Sequence, residues 1–243
     1  MLSIFQKKYF LVDFLEGFTD FHNHLLPGID DGANSAEDSI AMIKKFNEFG
    51  VTNFVASPHV MGEFYPNTPE TILPALEKVK KILPNGNSIK AAGEYMMDQY
   101  LIDQLEKNIV LNVTENYVLV EMSYFQAPIN LAEILFKIQN NNLKPILAHP
   151  ERYAFYHDNS FEKYKDLKAR GCDFQLNMLS LTPHYGTGIQ KKAFQLLENG
   201  MIDFISSDAH RMEHLEKIGN IKLKKKQLNL LEPIIEKSKA LFR

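Results

Sequence analysis

Two histidines one residue apart, His22 and His24, close an apolar run in "TDFHNHLLPGIDDG" (residues 19–32), and Asp30 and Asp31 follow in the next turn. In an extended chain, residues i and i+2 share a face, so both imidazoles point the same way. The signature recurs along the chain. Short β-rich runs end in His59 ("VASPH"), Glu94 ("KAAGE"), Glu121 ("VLVEM"), His149 ("ILAHPE") and the pair Asp208 and His210 ("ISSDAH"). The run "CDFQLN" ends instead in Asn177. Imidazole and carboxylate groups without sulfur are a donor set for manganese, iron or zinc, and donor type alone does not choose among them. Asp31 completes a candidate set of His22, His24, Asp31, His59, Glu94, Glu121, His149, Asp208 and His210. A single ion takes about three to five protein groups. The set therefore implies two or three divalent ions, with Glu94 a reasonable bridge.

The charge balance points to the substrate. The carboxylates of the set carry about −4 when ionised, and three divalent ions would bring about +6, leaving a mouth near +2 that suits an anion such as phosphate. Water on such ions loses a proton near neutral pH and becomes a hydroxide nucleophile, and paired ions hold both oxygens of an in-line displacement. Arg152, in "HPER" just after His149, is placed to clamp phosphate oxygens; its bland alternative is a surface pair with Glu151. A thiol phosphatase needs an arginine six positions after its cysteine, and the residue six positions after Cys172 is Met178. No "GxxxxGK" or "GxGxxG" phosphate loop is present. Phe64, Tyr65, Tyr95, Tyr124, Phe125, Tyr153 and Tyr185 follow the β-rich runs and offer walls for an aromatic ring, with Tyr95 and Tyr124 the candidates for substrate contact.

These groups meet only if the runs share one end. The seven β-rich runs alternate with amphipathic stretches at about 36–49, 69–82, 98–107, 129–141, 160–169 and 188–198. Gly50, Gly171 and Gly200 sit where helices stop before the next run. That alternation predicts a parallel α/β repeat. Ligands at the ends of separate strands predict closure into a barrel, whose strands all point to one mouth.

The 243 residues carry 45% apolar and 23% charged side chains and a formal charge of −3. This is ordinary globular composition, with no general affinity for nucleic acid. We expect one domain over 1–243, with 1–17 an N-terminal extension that is a tail or packed cap rather than a docking helix. Its apolar stretches are broken by Lys7, Lys8 and Asp13, which fits neither a signal peptide nor membrane insertion. The single cysteine, Cys172, excludes an internal disulfide. Cytoplasmic location is the expectation. The basic run "KLKKKQ" reads as a solvated helix face.

Taken together, "DFHNHLLPGIDDG", "SPH", "AAGEYMMD", "LVEMS", "AHPERY" and "SSDAH" resemble the PHP (polymerase and histidinol phosphatase) superfamily, and within it the bacterial CpsB/CapC-type capsular polysaccharide protein-tyrosine phosphatases. The resemblance runs from about Phe18 to Leu215. It implies a distorted seven-stranded (β/α)7 barrel with a trinuclear metal centre. One ion would take His22, His24, Glu94 and Asp208, a second Glu94, Glu121 and His149, and a third Asp31, His59 and His210. Arg152 would handle phosphate. The implied activity is manganese-stimulated hydrolysis of phosphotyrosine, on a tyrosine kinase of polysaccharide export. The segment before Phe18 departs from shorter family members.

The main alternative on the same fold is a small-molecule phosphatase of the histidinol-phosphatase type. A metal-dependent amidohydrolase also opens on His-x-His, but its binuclear members bridge their ions through a carboxylated lysine on the fourth strand, and here that strand ends in Glu121. A metal-stabilised scaffold module is the non-enzymatic alternative. Oligomeric state is not legible.

Overall fold

The structure, a computed structural model, describes residues 8–158 and 160–243. In chain order its elements are β1 (Tyr9–Phe10), β2 (Thr19–Asp20), α1 (Ala36–Asn47), β3 (Asn53–Ala56), β4 (His59–Val60), α2 (Pro69–Lys80), β5 (Ser88–Ala91), β6 (Glu94–Met96), α3 (Gln99–Glu106), β7 (Tyr117–Glu121), α4 (Leu131–Asn140), β8 (Lys144–Ala148), α5 (Glu162–Ala169), β9 (Asp173–Asn177), α6 (Thr187–Glu198), β10 (Phe204–Ser206), α7 (Met212–Gly219), β11 (Lys222–Leu223) and α8 (Lys225–Ala240). Strands β10, β9, β8, β7, β6 and β4 form one parallel sheet in that order; β2, β3 and β5 form a second. β1 and β11 make an antiparallel ribbon.

The expectation of seven strands does not hold, although the parallel α/β class does. Two of the β-rich runs break in the middle. Pro58, between β3 and β4, has no N–H for a ladder. Between β5 and β6, Gly93 passes so close to the Tyr95 ring that a Cβ there would lie 2.7 Å from it. β2 ends at Asp20, so His22 and His24 lie beyond it, where Asn23 makes a single parallel bridge to Ala209. Backbone hydrogen bonds nevertheless cross the sheet limits. Ala92 N donates to Ala56 O at 2.8 Å and Glu94 N to Pro58 O at 2.9 Å. Ser57 N donates to Asn23 O at 2.9 Å, Asp208 N to His22 O at 2.7 Å and His24 N to Ala209 O at 3.0 Å. The first run therefore lies between the second and the last.

A buried carboxylate ties the first strand to the last. Asp20 accepts from Ser206 Oγ at 2.6 Å and from Ser207 N and Oγ at 2.9 and 2.7 Å. Ser206 Oγ in turn accepts from Phe21 N and His22 N. Removing one partner from such a network leaves buried groups unsatisfied, which costs more than one ordinary hydrogen bond.

The six expected helices form, with ends moved by a few residues. α1 begins at a capping box in which Ser35 and Asp38 exchange side chain-to-backbone bonds, and it turns Ile40, Ile43 and Phe46 inward. Gly50, Gly171 and Gly200 adopt positive φ of 78°, 82° and 64° just past helix ends. Helix α7 was not foreseen, and the run "KLKKKQ", read as a solvated helix face, divides between β11 and the first turn of α8. In α8 the lysines mask an apolar stripe of Leu228, Leu231 and Ile235, and Ser238 Oγ accepts from Ile205 N in β10.

Residues 8–17 form a packed cap: β1 pairs with β11, and Leu11 and Leu15 are buried. The reading of residues 1–7 lies outside the described residues. No helix among the described residues is long and apolar enough to cross a membrane.

Candidate active site

The candidate ligands gather where the parallel strands stop or restart: His22 and His24 follow β2, His59 and Glu94 open β4 and β6, Glu121 closes β7, His149 follows β8, Asp208 and His210 follow β10, and Asp31 comes from the loop between β2 and α1. The set forms three compact groups: His22, His24, Glu94 and Asp208; His59, Glu94 and Glu121; and His24, Asp31, His59 and His210. Glu94 sits in two of them. Its Oε1 lies 3.1 Å from His22 Nε2 and 3.1 Å from His149 Nε2, and its Oε2 lies 3.0 Å from His59 Nδ1. His59 also spans two groups, with Nδ1 2.8 Å from Glu121 Oε1 and Nε2 3.5 Å from Asp31 Oδ1. His149 belongs to none of the compact groups. It lies against Glu94 and 4.0 Å from Glu121 Oε2. Asp31, half exposed, marks the open side.

Two of these residues hold unusual backbone. His149 has φ 36° and Asp208 φ 52°, a left-handed conformation that non-glycine residues rarely adopt. His149 does so directly before Pro150, where the following ring restricts it further. Such strain persists only where the surroundings over-determine it, and it concentrates at functional sites.

The electrostatics describe a nest that wants positive charge. Burial alone would lower the affinity of His22 for a proton, yet the charges of Glu94 and Asp208 raise it well above the usual range. His59 behaves likewise, with burial overcome by Glu121 and Glu94. Burial also opposes protonation of His24, and Asp30 reverses it, bringing the group to about 9. His149 goes the other way, to about 4, through burial and the Arg152 charge. His210 falls to about 3 through burial and the charge of His24. The carboxylates thus favour positive charge at His22, His24 and His59. Several buried atoms nonetheless lack a hydrogen-bond partner, among them His22 Nε2, His24 Nε2, Glu94 Oε2 and Glu121 Oε2. Buried polar atoms are normally satisfied. Here the orphans converge from several strands with nitrogen and oxygen donors, which fits divalent cations.

Residues that the sequence reading left unassigned as ligands hold the candidate ligands in place. His22 Nδ1 meets Gln175 Oε1 at 2.8 Å, and His24 Nδ1 meets Asp30 Oδ2 at 2.7 Å. Such partners fix the tautomer and orient the ring. Asn177 Nδ2 donates to Asp208 Oδ2 at 2.7 Å. The signal for Gln175 and Asn177 was their i, i+2 spacing at the end of β9, in the one run that lacks a ligand.

Arg152 is not a surface residue paired with Glu151. Its Nη1 donates to Asp208 Oδ2 at 2.9 Å, and its guanidinium lies between the rings of Tyr185 and Tyr124, 4.2 and 4.7 Å from their centroids. Glu151 is fully buried and accepts from Asn177 N at 3.0 Å; burial pushes it up to about 7. Tyr124 also stacks on His149, and Tyr65 on His59. The expectation that Tyr95 contacts substrate is corrected. Tyr95 is 1% exposed, and its hydroxyl accepts from Leu111 N at 2.7 Å, because it packs into the core beneath Gly93. Tyr153 is likewise buried, its hydroxyl accepting from Met122 N.

Cys172 lies buried just before β9, at the end of the strand away from the ligands, and burial pushes its thiol up to about 12. A thiol held that high supplies no thiolate nucleophile. Cys172→Ser is therefore expected to keep any hydrolytic turnover within about twofold of wild type, a small effect on the scale where about 1.4 kcal/mol is tenfold. Steady-state rates on folded, metal-loaded protein check this, and an inactive serine variant would restore the thiol to consideration.

Comparison with known proteins adds a lineage to this geometry. The family model described as "Capsular polysaccharide synthesis, CpsB/CapC" matches residues 18–226. The chain is 29% identical to the tyrosine-protein phosphatase YwqE of Bacillus subtilis, over 80% of this chain and 78% of that protein. It is 25% identical to the tyrosine-protein phosphatase CpsB of Streptococcus pneumoniae, over 80% and 83%. A crystal structure from work on those two proteins, described there as unique metal-dependent tyrosine phosphatases, superposes with a TM-score of 0.73 at 26% identity, covering 88% of this chain and 86% of the other. A phosphotriesterase homology protein from Escherichia coli shares the fold at a TM-score of 0.50 and 13% identity.

Proposed function

The chain belongs to the CpsB/CapC capsular polysaccharide synthesis family, and from that premise we propose that it is a metal-dependent protein-tyrosine phosphatase acting in the cytoplasm. The observation that carries this reading is the buried nest in which Glu94 is shared between two ligand groups beside the ring-sandwiched guanidinium of Arg152. We read the architecture as one unit over 1–243, a distorted barrel closed by the contacts of the first run with the last.

Two or three divalent ions fit the donors, manganese foremost. His22, His24, Glu94 and Asp208 would hold one. Glu94, Glu121 and His149 would hold a second. His59 would turn to Asp31 and His210 for a third. Bound there, the ions supply positive charge and acidify water. The chain's own contribution is placement. Arg152 presents a planar fork to phosphate oxygens, and Tyr124 and Tyr185 keep it from swinging away. Asp30 and Gln175 hold the His24 and His22 rings in register. The substrate is a phosphotyrosine protein, and a tyrosine kinase of polysaccharide export suits the family.

Exhaustive chelation is expected to abolish hydrolysis of an aryl phosphate, and manganese to restore it more fully than magnesium, since magnesium keeps to oxygen donors and its own waters whereas a first-row transition ion also takes nitrogen donors. Elemental analysis run beside the rate assay decides the matter. Full turnover with no metal bound would overturn the proposal.

A further inference from the structure

A cavity of about 470 Å³ opens next to the ligand nest, between the loops after β4 and β7. Its floor follows from the strand register. His59, Glu94 and Glu121 lie on the adjacent strands β4, β6 and β7. Met61, Met96 and Ser123, each two residues further on, line the cavity. Met96 shares its strand face with Glu94 and pairs in register with Glu121, while Met61 and Ser123 follow just beyond the ends of β4 and β7, so the cavity lies outward of these candidate ligands.

The two loops repeat one device. In the first, Met61 and Tyr65 exchange backbone bonds of 2.8 and 3.0 Å across a tight turn. Tyr65 stacks on His59, and its neighbour Phe64, 74% exposed, lines the cavity. In the second, Tyr124 stacks on His149 while its neighbour Phe125, 92% exposed, lines the cavity from the other side. Each loop sets one aromatic against the nest and the adjacent one over the groove. The ionisable residues among the lining are acidic, Glu63 and Asp98.

We infer that this groove binds the substrate chain beside the phosphotyrosine, taking an apolar side chain at the adjacent position and disfavouring an acidic one. The inference rests on the phosphatase reading above and adds sequence preference to it. The occupant follows from continuity: a polypeptide whose phosphate reaches the nest meets this cavity where the loops after β4 and β7 border the nest, with Tyr65 and Tyr124 on the nest side and Phe64 and Phe125 on the cavity side. Methionine and exposed phenylalanine offer adaptable apolar contact without fixing one partner shape. The acidic lining repels an acidic flank. A small phosphate ester has no group to place there.

The test uses full-length, manganese-loaded protein and three phosphotyrosine peptides, identical except for leucine, glycine or glutamate on both sides of the tyrosine. An aryl phosphate without flanks is the control. We expect kcat/KM in the order leucine, glycine, glutamate, with roughly tenfold or more between the extremes, as apolar pockets discriminate. In Phe125→Ala and Phe64→Ala the ratio should collapse toward one. Hydrolysis of the aryl phosphate with equal rates on all three peptides would overturn the groove and leave the phosphatase reading standing. A metal-loaded protein inert toward the aryl phosphate would remove that reading, and the groove with it. A self-association measured by sedimentation that Phe125→Ala abolishes, with no peptide preference, would give the groove to a second copy of the chain and overturn the inference.

Discussion

Glu94→Gln is expected to lower aryl phosphate turnover by roughly a thousandfold or more, because a cation's stabilisation of developing charge is worth several kcal/mol and each 1.4 kcal/mol is about tenfold. The substitution keeps the shape and removes one charge. That charge serves two ligand groups at once, since Oε1 faces His22 and His149 while Oε2 faces His59. No other carboxylate of the site is shared in this way between the group around His22 and the group around Glu121. Metal content should fall with turnover. Burial opposes ionisation of Glu94, and the charges of His22 and His59 hold it well below the usual carboxylate range. Turnover and elemental analysis on one sample, with thermal unfolding as the control for fold, test this. A folded variant with a tenth of wild-type turnover or more would mean that Glu94 is not the bridge.

Arg152→Ala is expected to cost roughly 3 kcal/mol in the transition state, about a hundredfold in kcat/KM, as loss of one donor aimed at a developing anion commonly does. Arg152 touches Asp208 through Oδ2, whereas His22 and His24 face Oδ1. Asn177 also holds Oδ2, so Asp208 keeps an anchor and metal content should be spared. Lysine should rescue poorly. It has no planar fork and does not fill the slot between Tyr124 and Tyr185. Equal loss of metal and turnover would make Arg152 a support for Asp208 rather than a clamp for phosphate.

The candidate cluster was legible because strand ends and parallel topology constrain one another: a His-x-His at one end means little until Glu94, His149 and Asp208 recur at others. Strand continuity was less legible. Pro58 and Gly93 interrupt runs whose hydrophobicity reads straight through, and the breaks follow from a missing N–H and a ring contact that no periodicity encodes. Tyr95 was misread for a related reason. Its position after a ligand-bearing residue suggests the mouth, but the alternation of strand faces turns it into the core, where Glu94 points to the nest and its neighbour points away. Arg152 was placed beside the site by sequence, while its partner was not: Glu151 is adjacent in the chain, and Asp208 is adjacent only in space. The lysines at the start of α8 announced a helix face, while its length and its apolar stripe of Leu228, Leu231 and Ile235 went unread because the polar face is more conspicuous than the stripe.

The bond between the first run and the last has a consequence for how the chain acquires its shape. Phe21 and Ser206 are 185 residues apart, and Asp20, His22 and His24 meet Ser207, Asp208 and Ala209 only after everything between them has been made. Contacts of such separation form late, because the entropy of closing the loop precedes their reward. During synthesis, the histidines that emerge first have no Asp208 to share an ion with. The earliest point at which the complete set exists is when His210, just past the last parallel strand, leaves the ribosome. A nascent chain arrested before β10 should therefore remain unable to retain metal tightly, and capture of the ion should coincide with the final step of folding rather than nucleate it.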